Sequence, residues 1–553
     1  MTKRCEIFPL KFLLIMTAVL FGGFYEFVSC IVSAVLGVYI LYILYKKKKL
    51  RLYWNGPLIL SAVTAAGYAV SVITAVDRGM ALIGVIKFLP LVLFALAYMQ
   101  LSEEERDELL FTVPLSGALI MGMSLLLCWI PAVREHLFMA GRLGGTFQYS
   151  NTMALYLLTG VILIQGRKTA QMKHLLLSGL LILGIFLTGS RSVFILTAAV
   201  LTVSAWRRRE WRVFNMSILT AAVAAGVIYS YITGDYQNLG RFLTISLKNS
   251  TFIGRFLYWQ DALPLVAAHP FGLGYMGYFY LQGTIQTGVY TTVFVHNDLL
   301  QIFLDTGWIP GLVFAAVFLK SMFSNRLDHT RKAVLAVIGV HCLLDFDMQF
   351  LSIGVLFLMA LDSRKKENVL LLKKGACTGI VAAMLASLYF LIPLAASYTG
   401  NYELARMVYP CYTEANTALL KNAETREEGE KLADAILKTN QNVALACDAK
   451  ALSSAMDEDF EQMIIWKERA VENNPYALYE YVDYVSLLSR AVDWSRLRND
   501  RKMAAYYEKC MREIPQRLEA LKERTSPLGW KIRDLPETEL PQEITEYIYS
   551  LGE

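Results

Sequence analysis

Long apolar runs separated by short polar or basic segments fill residues 1–396, whereas charged and apolar positions alternate at helical spacing from 397 to 553. A bilayer crossing needs about 20 mostly apolar residues. On that measure the chain offers about 13 candidate spans. They are 7–25, 27–45, 57–76, 80–99, 109–130, 151–165, 173–189, 192–206, 213–232, 298–320, 332–346, 350–361 and 376–396. The pattern predicts an all-α chain: a polytopic membrane helix bundle over 1–396, then a soluble α-helical part over 397–553. The segment 233–297 is too polar to span and too rich in aromatics ("GYMGYFYLQG") to read as disordered.

Span parity gives an orientation. With the N-terminus inside, the segments after even-numbered spans are "KKKKLR", "SEEERDE", "GRKTAQMKH", "RRREWR", "SNRLDHTRK" and "DSRKKEN". All but one are basic, as the positive-inside rule asks, and acidic residues weigh little in topology. This predicts a cytoplasmic N-terminus and an extracytoplasmic tail after about residue 397. The apolar run behind "MTKRC" lacks a convincing small-residue cleavage site and reads as a retained first helix.

Composition agrees with the pattern. The chain is 55% hydrophobic and 18% charged, against about 25% charged in soluble domains. Its net charge of +6 is explained by the basic connections, without basic surface interleaved with stacking aromatics, so nucleic acid is not an expected partner. Eight cysteines are scattered without metal-site or CxxC spacing. No P-loop, HExxH or GxSxG motif occurs, so a nucleotide-driven mechanism is not expected.

The tail repeats weakly. "ADAILKTNQ", "KERAVENNP" and "YEKCMREIP" recur at about 35 to 40 residues, near the tetratricopeptide period of about 34. A tetratricopeptide-like array would dock a protein partner or position an acceptor; a plain helical cap accounts for the same pattern.

Charges bordering membrane helices are costly and point to function. Four stand out on the predicted outer side. His296 sits at the lip of an apolar run in "FVHNDLLQIFLDTGWIPG", where imidazole suits a base or proton relay or a satisfied structural position. Arg142 in "GRLGGTFQYSN" offers a planar fork for phosphate beside glycines; a snorkelling arginine fits equally. Arg191 in "LTGSRS" and Arg255 in "FIGRFLYWQDAL" carry the same two readings, as ligand cations or as a turn cap and an interfacial helix. Three arginines and a histidine on one face suit a pyrophosphate ligand with an acid/base step. Asn297 and Asp305 are secondary candidates. The nearby acids (Asp298, Asp305, Asp345, Asp347) make a weak metal set, so no metal and no cofactor are expected.

Together, "GRLGGTFQYSNTMA", "LTGSRSVFI", "GRFLYWQDAL" with "HPFGLGYMGY", and "HNDLLQIFLDTGWIPG" resemble, in order, the O-antigen ligase and polymerase (Wzy-type) family of bacterial membrane glycosyltransferases. Asp305 stands where that family usually shows Glu. The resemblance implies a GT-C-like bundle in the bacterial cytoplasmic membrane. It implies a glycan donor on polyprenyl (undecaprenyl) pyrophosphate and a glycan, lipid or protein acceptor, joined without metal or nucleotide. It implies that His296 activates or orients the acceptor hydroxyl and that Arg142, Arg191 and Arg255 hold the pyrophosphate. Two other functions share many of these features: a transporter or flippase of lipid-linked oligosaccharides, and a pilin-type protein O-glycosyltransferase. A flippase would carry charges at mid-membrane depth and paired broken helices; here the charges gather at one face.

Overall fold

A computed structural model describes residues 4–167, 171–233, 250–363, 370–372 and 375–550. Parts of the predicted connections 166–174, 233–297 and 362–368 therefore lie outside the described residues. The chain is an all-α membrane helix bundle. Its helices are α1 (Arg4–Val19), α2 (Glu26–Lys47), α3 (Gly56–Thr74), α4 (Arg78–Met99), α5 (Glu103–Leu110), α6 (Thr112–Leu127), α7 (Pro131–Leu137), α8 (Ser150–Gln165), α9 (Met172–Thr188), α10 (Arg191–Arg207) and α11 (Arg209–Thr233). There follow α12 (Ser250–Ala268), α13 (Gly277–Ile285), α14 (Asp298–Thr306), α15 (Trp308–Met322), α16 (His329–Cys342), α17 (Leu351–Ala360) and α18 (Ala376–Tyr398). After Tyr398 come α19 (Tyr402–Val408), α20 (Thr413–Lys421), α21 (Arg426–Thr439), α22 (Ala444–Met456), α23 (Phe460–Asn473), α24 (Leu478–Leu497), α25 (Arg501–Arg524) and α26 (Gln542–Ser550).

Each expected span falls on a helix, but not always on a whole crossing. Five helical stretches among the described residues are long and apolar enough to cross a membrane, by length and composition. The expected span 298–320 is broken at Gly307 into α14 and α15. The span 350–361 is the ten-residue α17, about 15 Å long at 1.5 Å per residue, or half a hydrocarbon core. Every residue of α17 is buried, so it is a central post wrapped by the other helices, and the loop before it sits within the bundle.

The connections sort to two ends. At one end, Leu50–Leu52 pairs antiparallel with Leu370–Leu372, Asn55 and Arg106 both donate to the Ser363 carbonyl, Arg331 pairs with Asp107, and Arg208 donates to the Gly166 carbonyl. These are the connections after even-numbered spans. At the other end, Gly22 abuts the Phe147 ring, Val76 N donates to Leu273 O at 3.0 Å, and Arg142 Nε donates to Thr188 O at 2.9 Å. These lie at the ends of odd-numbered spans or in the connections after them. A buried lysine braces that end: Lys87 Nζ donates to Glu26 (2.9 Å), Tyr275 OH (2.9 Å) and the Phe24 carbonyl (3.0 Å). With its three donors satisfied, this intramembrane cation has a structural duty.

The helices after Tyr398 pack in succession and rest on the same end. Tyr409 OH donates to Gly79 O (3.0 Å), Asn440 to Asp77 (3.1 Å), Arg524 to Thr284 O (2.7 Å) and Ser526 N to Thr287 O (2.9 Å). Inside this part Lys467 is buried between Glu480, itself 0% exposed, and Asp448, each at 2.6 Å. Lys467→Ala strands the Glu480 carboxylate without its cation. Removing one partner of a buried pair costs about 3–5 kcal/mol, so the melting midpoint of the purified full chain is expected to fall. An unchanged midpoint would show that Glu480 does not depend on the pair.

Candidate functional site

The site is built where four connections meet. α14 starts because Asn297 caps it: its side-chain oxygen accepts from Leu300 N at 3.0 Å. The residue before the cap, His296, has φ +52, a left-handed conformation uncommon for a side-chain-bearing residue. The ring packs edge-on to Phe346, centroids 4.9 Å apart, and lies 6.2 Å from Tyr258. Its Nδ1 lies 3.1 Å from Asp345 Oδ1. The other nitrogen makes no hydrogen bond with a described residue, and the side chain is 21% exposed, so the ring has one face held and one open.

Asp345 is the hub. It is 1% exposed and accepts from Tyr149 OH (2.8 Å), Asn151 Nδ2 (2.8 Å), Arg255 (3.2 Å) and Phe346 N (3.1 Å), besides facing His296. Burial alone would push its carboxyl up. The His296 hydrogen bond, the charge that ring carries when protonated, and the Arg255 charge outweigh burial and hold it well below the usual carboxylate range. The same carboxylate raises the Tyr149 phenol, after burial as the larger cause.

Arg255, on α12, thus shares one acceptor with His296. Arg142 joins at one remove: its guanidinium donates to Asn151 Oδ1 (2.7 Å) and to Thr188 O (2.9 Å), and Asn151 donates onward to Asp345. Arg142 is half-buried; burial pulls its guanidinium below the ordinary value, and the like charges of Arg191 and Arg255 add to that against Tyr149 and Asp345. Arg142 therefore lies within electrostatic reach of both Arg191 and Arg255. Arg191 begins α10, is exposed, and makes no hydrogen bond or ion pair with any described residue.

Asn297 and Asp305 have other duties. Asn297 is a helix cap. Asp305 is fully buried, accepting from Tyr68 OH (2.9 Å) and Gln301 (2.8 Å), and it braces α14 against α3 rather than facing His296. The sequence reading missed Asp345, Tyr149 and Asn151 as site residues. For Asp345 the usable signal was a pair of acids in a short connection between apolar runs.

A cluster of Asp298, Cys342 and Asp347 brings potential ligand atoms within 4.8 Å of one another. Both Asp347 oxygens are already engaged, by Thr152 OH (2.7 Å) and by His341 Nδ1 (2.5 Å), and Asp298 accepts from Met348 N (3.0 Å). Asp298 Oδ1, by contrast, is buried without a hydrogen-bond partner.

Chemically, the arrangement offers clustered cations beside an accessible imidazole backed by a carboxylate. That suits binding an anion while a neighbouring hydroxyl is oriented or deprotonated. No curated protein matches the chain. Residues 176–316, which include Arg191, Arg255, His296 and the break at Gly307, match the family model described as O-Antigen ligase, so this part of the chain is similar to that family.

Proposed function

We propose that the chain is a metal-independent, GT-C-type glycosyltransferase. It moves a glycan from a polyprenyl (undecaprenyl) pyrophosphate to an acceptor hydroxyl at the outer face of the bacterial cytoplasmic membrane, polymerising or ligating a surface polysaccharide. The observation that supports it most is the sharing of Asp345 by His296 and Arg255, with Arg142 and Arg191 close by. In this reading Asp345 fixes the His296 ring, whose open nitrogen takes the proton of the acceptor hydroxyl. As that oxygen bonds to the sugar C1, the bond from C1 to the phosphate oxygen breaks and its electron pair leaves with the pyrophosphate. Arg142, Arg191 and Arg255 meet that growing charge, which preplaced cations in a water-poor site stabilise best.

The site lies at the end opposite the basic connections. The positive-inside rule then assigns that end, and the residues after Tyr398 that rest on it, to the outer side. Residues 1–396 form the catalytic membrane domain, and 397–553 form an extracytoplasmic, tetratricopeptide-like domain that shapes access for the acceptor or a protein partner. A reporter fused after Thr399 tests this: an outside signal is expected, and a cytoplasmic one removes the orientation.

Incubation of the purified chain with a labelled polyprenyl-pyrophosphate glycan, followed by product sizing, tests the activity. A ladder of repeats identifies a polymerase and a single transfer a ligase; no transfer to any hydroxyl acceptor rejects the proposal. Arg191→Ala is expected to lower kcat/KM for the donor about tenfold, the scale of one charged hydrogen bond, without loss of thermal stability. An unchanged kcat/KM removes Arg191 from the pyrophosphate site.

A further inference from the structure

One tripeptide, Asp345-Phe346-Asp347, holds two histidines. Asp345 faces His296, and Asp347 faces His341, whose Nδ1 lies 2.5 Å from Asp347 Oδ2. The ring of His341 continues outward: its Nε2 lies 3.0 Å from Ser192 Oγ. His341 and Asp347 are both 0% exposed, whereas Ser192 is half-buried. Thr152 OH donates to the other Asp347 oxygen at 2.7 Å.

The position of Ser192 is what gives this chain a use. It lies in the first turn of α10, next to Arg191, and its hydroxyl is 3.4 Å from that of Ser190. The residue that ends α9, Thr188, accepts from Arg142 through its carbonyl. Ser192 thus belongs to the turn shared by two of the pyrophosphate arginines. His296 stands on a separate connection, beside Tyr258.

We propose that Ser192 is a hydrogen-bond donor to the leaving pyrophosphate, with His341 and Asp347 as positioning residues behind it. The inference rests on the glycosyl-transfer reading above and adds to it a group on the leaving side.

The physical case starts at Asp347. A buried carboxylate is retained with a partner of opposite charge, and His341 is the basic side chain in contact with it among the described residues. With the ring cationic, Nδ1–H donates to Asp347 and Nε2–H donates to Ser192 Oγ. That bond occupies the serine lone pair and turns its O–H outward, toward an acceptor oxygen on phosphate. A hydroxyl polarised from behind is a stronger donor than a free one. Its bond tightens as C1–O breaks and charge grows on the departing oxygen, so its effect falls on the transition state and not on ground-state binding. Ser192 keeps its proton throughout; the one proton that moves is that of the acceptor hydroxyl, to His296.

Full-length Ser192→Ala, Ser192→Thr and His341→Gln are assayed with labelled polyprenyl-pyrophosphate glycan. Ser192→Ala is expected to lower kcat about a hundredfold, the scale of one lost transition-state donor, with the donor KM nearly unchanged. Ser192→Thr, which keeps the hydroxyl, recovers most of that loss. His341→Gln matches Ser192→Ala, and the double variant is little worse than either. Wild-type kcat in Ser192→Ala overturns the proposal, as does a change confined to KM or a labelled glycan trapped covalently on Ser192. Because His341→Gln disturbs a buried pair, the half-buried Ser192 variants decide the question. If the wild-type chain itself transfers nothing from the lipid pyrophosphate, it is the glycosyl-transfer reading that fails.

Discussion

His296→Ala is expected to lower kcat/KM for glycan transfer by about a thousandfold, and Asp345→Asn is expected to come within about tenfold of it, since positioned general bases contribute 10²–10⁴. The argument for the second variant lies in the donors that converge on Asp345. Tyr149, Asn151, Arg255 and the Phe346 amide all donate to it, and His296 faces it at 3.1 Å. Asparagine keeps one oxygen and offers an NH2 group where a second acceptor stood, so at least one donor meets a donor. The ring of His296 then loses its orientation, and Arg255 loses the anion that tethers it. Because the two residues act as one unit, the double variant should be little worse than His296→Ala alone. Single-turnover transfer by variants that melt like the wild type checks this. Additive losses would mean that Asp345 and His296 work separately, and that the shared carboxylate is a structural pin.

Much of this site lies in stretches that stand out in the sequence, and the structure supplies the reason. "HPFGLGYMGY" and "DTGWIPG" are spaced far apart in the chain but interlock: Leu273 N donates to Leu304 O (2.7 Å), Gly274 N to Asp305 O (3.1 Å) and Trp308 N to Pro270 O (2.9 Å). Glycines recur there because backbone meets backbone. Apolar length and basic connections likewise foretell a bundle whose alternate connections gather at two ends. What stays hidden is partnership across distance. Asp345 reads from sequence as one of two acids in a short connection, and nothing local announces that Tyr149 and Asn151, nearly two hundred residues earlier, will donate to it. The same limit applies to the break at Gly307. A continuous apolar pattern over 298–320 reads as one helix, and only the fit of Pro270 against Gly307 divides it. Asn297 beside His296 shows a third limit: neighbours in sequence, one caps a helix while the other faces the site, because His296 is itself left-handed.

Gly307→Ala is expected to be the most damaging small substitution for the fold, costing several kcal/mol. Two causes combine there. Gly307 has φ +86 and ψ −170, a region essentially reserved for glycine, and holding another residue there costs about 1–3 kcal/mol. A methyl group would also stand 2.2 Å from Pro270 O and 2.7 Å from the Phe271 carbonyl carbon. Both are backbone atoms, so neither can swing aside as a side-chain tip would, and overpacking of this kind adds about 1–3 kcal/mol. Gly272 faces the reverse contact, its own added carbon meeting Asp305 O at 2.4 Å, so relaxing one side tightens the other. Gly400 is the control. It has φ +80 but open space around it, so Gly400→Ala should cost only the conformational part, about 1 kcal/mol. Thermal melting of the two variants in detergent separates the causes. If Gly307→Ala melts no lower than Gly400→Ala, the backbone contact with Pro270 is soft and the α14–α15 break is set by something else. If it melts far lower, the break is rigid, and with it the start of α14 that carries the His296 turn. Transfer by Gly307→Ala should then fall even in the fraction that remains folded, because His296 and Asp345 are presented by different connections and a shift of either parts them.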